Sequence, residues 1–331
     1  MKANIRSVAS FAGVSVATVS RVINKSDKVS QETAERVTNA ISELDYQLNH
    51  VARSLRTNKT NTVGVLLPLQ WAEEYPSSII QGIRKVLQAE GYYIILGSTE
   101  NTVENELYHI EKMHAHNVDG LIVIPNNSEN DYLASKHGTG VPTVFMDRKI
   151  KGDYGDCVMC DNYAGAYDAV TALTGKGHKK IGLITNTMRV TTIADRTRGY
   201  VSALDDAGIA VTEERILRGE TGSYDVGVQM MQKMLKTGDV TAVFFADVTH
   251  GVSAVTYANE IGLRIPQDLA VIVFDDLPNL ISMKPSMSAV AQPMYEMGLK
   301  AAQLIVDRIA NPDKSFETCY LAPRLILRES V

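Results

Sequence analysis

From about residue 62 to its end, the chain repeats one unit: a short apolar run, then a stretch with apolar residues at helical spacing. Candidate strands lie at 63–67, 93–97, 120–124, 143–146, 180–184, 242–245 and 269–274. Candidate helices lie at 78–90, 104–116, 163–174, 196–207, 226–235 and 251–261. Such alternation implies parallel sheets with helices on both faces. The units are too many for one open sheet, so two doubly wound lobes are expected. A helix-period run at 295–309 follows the last strand of the second lobe and returns the chain to the first. A strand at 320–327 comes near the end. Ligands of such folds sit outside the carboxyl ends of the strands. The sequence is polar there, at 70–77, Asp147-Arg148, 185–192, Asp247 and Asp275-Asp276.

The first sixty residues have a different pattern. Asn4 is a good N-cap for a helix to about Ala12, with Ile5, Val8, Ala9 and Ala12 as its apolar stripe. Gly13-Val14 breaks it. Ser15 then caps a second helix at 16–24, and a third at 31–45 carries Ala34, Val37, Ile41 and Leu44. Ala9, Gly13 and Val19 fall where a helix-turn-helix needs a small residue, a turn glycine and a buried aliphatic. Val19, Val22 and Ile23 face inward, which leaves Val16, Ala17, Ser20 and Arg21 on the other face, near the end that such motifs present to the major groove. The Arg21 guanidinium suits the O6 and N7 acceptors of guanine, and Thr18 and Ser20 suit phosphate oxygens. Val16 and Ala17 offer no hydrogen bonds and read only shape and thymine methyls. Charge agrees: this segment holds nine Lys and Arg against five Asp and Glu, in a chain of formal net charge −5. A basic head on an acidic body suits a polyanion.

These motifs resemble the LacI/GalR family of bacterial transcription regulators. Thr18-Val19-Ser20-Arg21-Val22-Ile23-Asn24 fits the family's T-V-S-R-V-(L/I/V)-N. Residues 45–55 are similar to its G-Y-x-P-N-x-x-A-R-x-L, with Asp45 in place of Gly and Leu48 in place of Pro. The likeness continues through Asp147-Arg148, Asp161-Asn162 with Gly165, Gly177-His178, Arg196 with Gly199-Tyr200, Phe274-Asp275-Asp276 and Gln292-Pro293. It implies a small all-α helix-turn-helix headpiece at 1–48, a hinge helix and linker at 49–61, and a periplasmic-binding-protein-like α/β core at 62–331. Within the core, lobe one takes 62–160 and 291–318, and lobe two takes 161–290 and 319–331. The implied function is that of a homodimeric repressor of a near-palindromic operator, under control of a sugar-like effector between the lobes. Asn24, Tyr46 and Asn49 join the DNA interface by the same resemblance. Leu55 becomes a wedge for the minor groove, and Arg53 and Arg56 contact phosphate or the minor groove.

By matching positions, the effector contacts are Tyr75, Arg148, Asp161, Thr192, Arg196, Asp247, Asp275 and Gln292. A carboxylate accepts from vicinal hydroxyls and a guanidinium donates as a fork, so Arg196 with Asp275 suits a polyol. The family's A-N-D stands here as Ala246-Asp247-Val248, Pro76 replaces its second aromatic, and Ala291 replaces an arginine before Gln292. No particular sugar transfers across these departures.

Catalytic and metal signatures are weak. Cys157 and Cys160 make C-x-x-C, but in an extended segment whose alternation points them in unlike directions. His114 and His116 end a helix without a cysteine or carboxylate pattern to complete a metal site. Residues 138–142 lack the third glycine of a dinucleotide fingerprint. A non-enzyme without cofactor or metal is expected. It is read as cytoplasmic, since the sequence shows no signal peptide and no apolar run of membrane-spanning length, and as a dimer, since no leucine-heptad tail follows the core. The headpiece reading is checked by a gel shift: Arg21→Ala is expected to abolish sequence-specific DNA binding while leaving effector binding intact.

Overall fold

The computed structural model describes all residues except 1–2, 24–27, 47–58, 69–73, 129–139, 153 and 221–223. It divides into two compact units, Met1–Thr60 and Asn61–Val331.

The first unit is a three-helix headpiece: α1 (Ile5–Ala12), α2 (Val16–Ile23) and α3 (Gln31–Glu43). Asn4 caps α1, its side chain accepting from the Arg6 and Ser7 amides, and Ser30 caps α3. Gly13 ends α1 in the left-handed conformation at φ 62°, where a side chain would be strained. Arg36 of α3 donates to the Ala12 carbonyl at 2.5 Å, which satisfies an orphan acceptor at the end of α1 and ties the turn to α3. Val8, Ala9, Ala12, Val19, Val37 and Ala40 form the core, with Val22, Ile23 and Ile41 packed against it. Ala34, expected in that core, is half-buried, and Ala40 takes the deeper place.

The second unit holds two six-stranded sheets. The first is built from β1 (Thr62–Leu67), α4 (Glu74–Ala89), β2 (Tyr93–Ser98), α5 (Val103–Ala115), β3 (Gly120–Val123), β4 (Thr143–Met146) and β5 (Asp156–Cys160). The chain then enters lobe two through α6 (Asn162–Gly175), β6 (Ile181–Asn186), α7 (Thr191–Asp206), a 3-10 turn, β7 (Ile216–Gly219), α8 (Tyr224–Lys236), β8 (Ala242–Phe245), α9 (Val248–Glu260), β9 (Ala270–Phe274), the short α10 (Asn279–Ser282) and β10 (Ser288–Ala291). α11 (Met294–Ala310) returns to lobe one, where its apolar face closes the core with α4. With the last strands β11 (Thr318–Leu321) and β12 (Arg324–Ile326), the strand orders are β11-β5-β4-β3-β1-β2 and β12-β10-β9-β8-β6-β7, so the lobes share one strand order. Every pairing is parallel except β10 with β12.

The terminal strand departs from expectation. Residues 320–327 are not one strand but two: β11 (Thr318–Leu321) pairs with β5 of sheet one, and β12 (Arg324–Ile326) pairs with β10 of sheet two. Lobe one therefore extends to Leu321 rather than 318, and Pro323, which lacks an amide hydrogen to give a ladder, lies in the change of sheet. The chain crosses between lobes three times, and the Asp161 amide donates to the Leu321 carbonyl at 2.9 Å, bonding two of the crossings together.

Core layers cover both faces of each sheet. Along β5, Val158 and Cys160 enter one layer while Cys157 and Met159 enter the opposite one. The C-x-x-C pair thus sits on opposite faces of the sheet, and burial pushes the Cys160 thiol far up, away from thiolate chemistry. At the other end of β5, Asp156 and Arg308 form a buried bidentate ion pair at 2.8 and 3.0 Å. Arg308 also donates to the Pro312, Lys314 and Ser315 carbonyls, which fixes the turn after α11. Among the described residues no helix is long and apolar enough to cross a membrane.

α4 and α11 cross at two glycines. A Cβ on Gly82 would meet the Tyr295 carbonyl oxygen at 2.3 Å, and one on Gly298 would meet the Ile79 carbonyl oxygen at 2.3 Å. Both obstacles are backbone, so neither can swing aside. Gly298→Ala is expected to destabilise the core unit by about 1–3 kcal/mol through overpacking, read as a lower midpoint in urea denaturation.

Candidate functional site

On the headpiece, α2 exposes Val16, Ala17 and Arg21, with Thr18 and Ser20 half-buried. Ser15 Oγ accepts from the Thr18 amide at 3.1 Å and lies 2.9 Å from Thr18 Oγ1, so Thr18 takes part in capping its own helix. Tyr46 packs against the headpiece core. Asn24, Asn49, Arg53, Leu55, Arg56 and the expected hinge helix lie outside the described residues.

In the core, a cleft lies at the carboxyl ends of the two sheets. Of the expected contacts, Arg148, Thr192, Arg196, Asp247 and Asp275 line it, together with Asn101, Asp147 and Asn186. Arg196, on α7, is held from four directions. Its Nε donates to Asn162 Oδ1 at 2.8 Å, and its Nη1 donates to the Ala246 carbonyl at 2.8 Å and lies 3.5 Å from Asp275 Oδ2. Its guanidinium carbon rests 3.7 Å from the centre of the Phe274 ring. A cation so placed is fixed before any ligand arrives.

Asp275 follows β9 at φ 77° and Asp147 follows β4 at φ 64°. The two strands hold matching places in the two sheets. In each case the aspartate amide returns to the neighbouring strand, Asp147 to the Val158 carbonyl and Asp275 to the Val290 carbonyl. The left-handed backbone turns both aspartates at the strand ends that border the cleft, and Asp tolerates that conformation better than most residues. Asp147 was read from the sequence as a polar strand end but not as an effector contact, although its place just before Arg148 was an available signal.

Asp247 is largely occupied: Oδ1 accepts from the Thr249 and His250 amides and Oδ2 from Asn186 Nδ2. Gln292 does not line the cleft but supports it from behind, its Nε2 donating to Asp275 Oδ1 at 2.5 Å. Asp161 is also away from the lining. It caps α6 by accepting from the Ala164 amide at 2.9 Å, which is what Asp before a helix commonly does. Tyr75 lies in α4, and its side chain is outside the described residues. Among the described residues, Asn101 Oδ1, Asp147 Oδ1, Arg148 Nε and Gln292 Oε1 are buried without a hydrogen-bond partner. Arg148 Nε lies 3.6 Å from Asp147 Oδ2 in an ion pair, which leaves Asn101 Oδ1 and Asp147 Oδ1 as two lobe-one acceptors that no group of the protein satisfies.

Chain-wide comparison decides the family. Residues 4–49 match the model described as bacterial regulatory proteins, lacI family. Residues 170–331 match that of a periplasmic binding protein-like domain. The HTH-type transcriptional repressor PurR of Erwinia tasmaniensis is 36% identical over 332 residues, covering 99% of this chain and 97% of that one. The chain belongs to the lacI family. The Proteus mirabilis PurR is 33% identical at the same coverage. Among solved structures, the transcriptional regulator CelR in complex with cellobiose is 31% identical with a TM-score of 0.75, covering 99% of this chain and 100% of that one. The lac repressor dimer bound to operator and the anti-inducer ONPF reaches a TM-score of 0.86 at 23% identity, covering 100% and 99%, a likeness of fold. These relatives are transcription regulators, not enzymes.

Burial raises the Asp275 carboxyl above its ordinary value of 3.8. Arg196 and the Gln292 hydrogen bond pull it down, and Asp147 and Asp247 push it up again. Because the folded value is raised, its contribution to stability is full below about pH 3.8 and is lost as pH rises through the folded value. Asp275→Asn keeps the Gln292 acceptor and removes the buried charge. Without ligand, its melting temperature is expected to gain on the wild type as pH rises from 4 to 8, with little difference at the acid end; a constant offset would contradict this.

Proposed function

We propose that this DNA-binding transcriptional repressor of the lacI family acts in the cytoplasm as a homodimer on a near-palindromic operator. Its effector is a neutral, hydroxyl-rich molecule, a sugar or sugar derivative, held between the lobes. One observation carries the effector reading: the fixed Arg196–Asp275 pair of lobe two and the unpartnered Asp147 Oδ1 and Asn101 Oδ1 acceptors of lobe one line the same cleft. A molecule with hydroxyls on both faces both donates and accepts, and so meets this mixture. Among the described residues, the cleft-lining charges are three carboxylates, Asp147, Asp247 and Asp275, against the two guanidiniums of Arg148 and Arg196. That balance disfavours a phosphorylated ligand. The CelR complex with cellobiose adds a relative with a sugar bound.

In this reading Val16, Ala17, Thr18, Ser20 and Arg21 meet the operator, and Asn24, Tyr46, Asn49, Arg53, Leu55 and Arg56 complete the interface. Effector binding shifts operator affinity only by its differential affinity for the two lobe arrangements. A thermal-shift panel of neutral sugars, sugar phosphates and nucleobases tests the assignment. A neutral sugar at 100 times its Kd is expected to stabilise the core by about 2.7 kcal/mol, and Arg196→Ala is expected to abolish the shift. Stabilisation by nucleobases or sugar phosphates alone would overturn the sugar assignment. A gel shift with the active compound then shows whether it releases or strengthens the operator complex.

A further inference from the structure

α7 carries Thr192 and Arg196 into the cleft, yet its own sequence does not finish its first turn. A helix begins with four amide hydrogens that have no partner within it. α1, α3, α5, α6 and α9 meet this need with Asn4, Ser30, Thr102, Asp161 and Asp247, whose side-chain oxygens accept from the first turn. At α7 the cap position is Val190, extended at φ −127° and ψ 150°, with no polar atom in its side chain.

The missing oxygen comes from the other lobe. Ser128, which follows β3 in lobe one, accepts at Oγ from the Thr191 amide at 3.2 Å. The Ser128 amide donates to the Arg189 carbonyl at 2.9 Å. The amide of Lys149, next to Arg148 in lobe one, donates to Thr191 Oγ1 at 3.1 Å. Three hydrogen bonds therefore join the lobes through Ser128, Lys149, Arg189 and Thr191, and neither Ser128 nor Thr191 lines the cleft.

We propose that Ser128 is a positioning residue that caps α7 across the cleft, so that the helix bearing Thr192 and Arg196 is completed only when the lobes are together. If the lobes separate, the Thr191 amide loses its acceptor and Val190 has none to offer. The same event removes the Lys149 bond. Closure and the order of the first turn of α7 become one equilibrium, and an effector that favours closure binds to a helix end already finished by lobe one. The regulatory meaning rests on the reading that the effector sits in this cleft; the cap does not.

The test is hydrogen–deuterium exchange on the full-length protein without any added ligand, read at the first turn of α7. Ser128→Ala is expected to speed exchange there by about two- to thirty-fold, the worth of a helix cap, with exchange in α8 and α9 unchanged. Ser128→Thr, which keeps the hydroxyl, is expected to restore wild-type rates. Unchanged exchange in Ser128→Ala overturns the proposal. So does a loss that Ser128→Thr does not repair, since the effect then comes from packing rather than from the cap. Should Ser128→Ala fail to fold, Thr191→Val removes the Lys149 bond alone. Faster exchange confined to the α7 first turn and to Lys149 then supports the clasp, and wild-type exchange at both overturns it. Since no effector is present, this result is independent of whether the cleft takes a sugar.

Discussion

The cleft depends on how Arg196 is held. Its side chain joins the helix that bears it to Asn162 at the start of α6, to the end of β8 through Ala246, and to the end of β9 through Phe274 and Asp275. An unpaired guanidinium at that depth would be costly, and the protein avoids the cost with hydrogen bonds to neutral oxygens and an aromatic face. Asp275, by contrast, is not fully compensated, and its carboxyl is pushed up by burial and by two neighbouring carboxylates. The site therefore presents a settled cation beside an unsettled anion. In the proposed function, a hydroxyl donated to Asp275 would relieve what the protein leaves unrelieved and so give ligand binding part of its driving force.

Much of the fold was legible because apolar runs and helical spacing are direct traces of burial. Of the eight strands read from the sequence seven form, and the eighth, at 320–327, is two. Those it missed have physical reasons. β5, Asp-Cys-Val-Met-Cys, read only as an extended segment about its cysteines, is buried on both faces and begins with a charge held by Arg308 and the Glu317 amide, far along the chain. β10 is built of small residues, and β7 ends in Arg218-Gly219 at a sheet edge. α7 begins at Thr191 rather than Arg196. Its start carried no local signal, since the oxygen that satisfies its first turn belongs to a residue sixty-three positions earlier.

The site divides in the same way. Arg148, Thr192, Arg196, Asp247 and Asp275 were readable as polar residues at strand ends or on the helices that follow them, and they come together in the cleft. Asn101 was not, because an asparagine in a loop gives no periodic pattern to distinguish it, and Asn186, at the end of β6, was read only within the polar stretch 185–192. Asp161 and Gln292 show the opposite error. Both are polar residues next to a crossing between lobes, and both are used by the protein itself, one to cap a helix and the other to hold Asp275.

The three passages between the lobes have a mechanical consequence. A single connecting strand would let two bodies swing, twist and slide. Three passages, two of them bonded to each other at Asp161 and Leu321, behave like the spine of a book. They resist shear and torsion and leave bending as the soft direction. Whatever enters the cleft, the lobes have essentially one movement with which to answer. An effector held as proposed would therefore be answered within the core unit by a change in one angle.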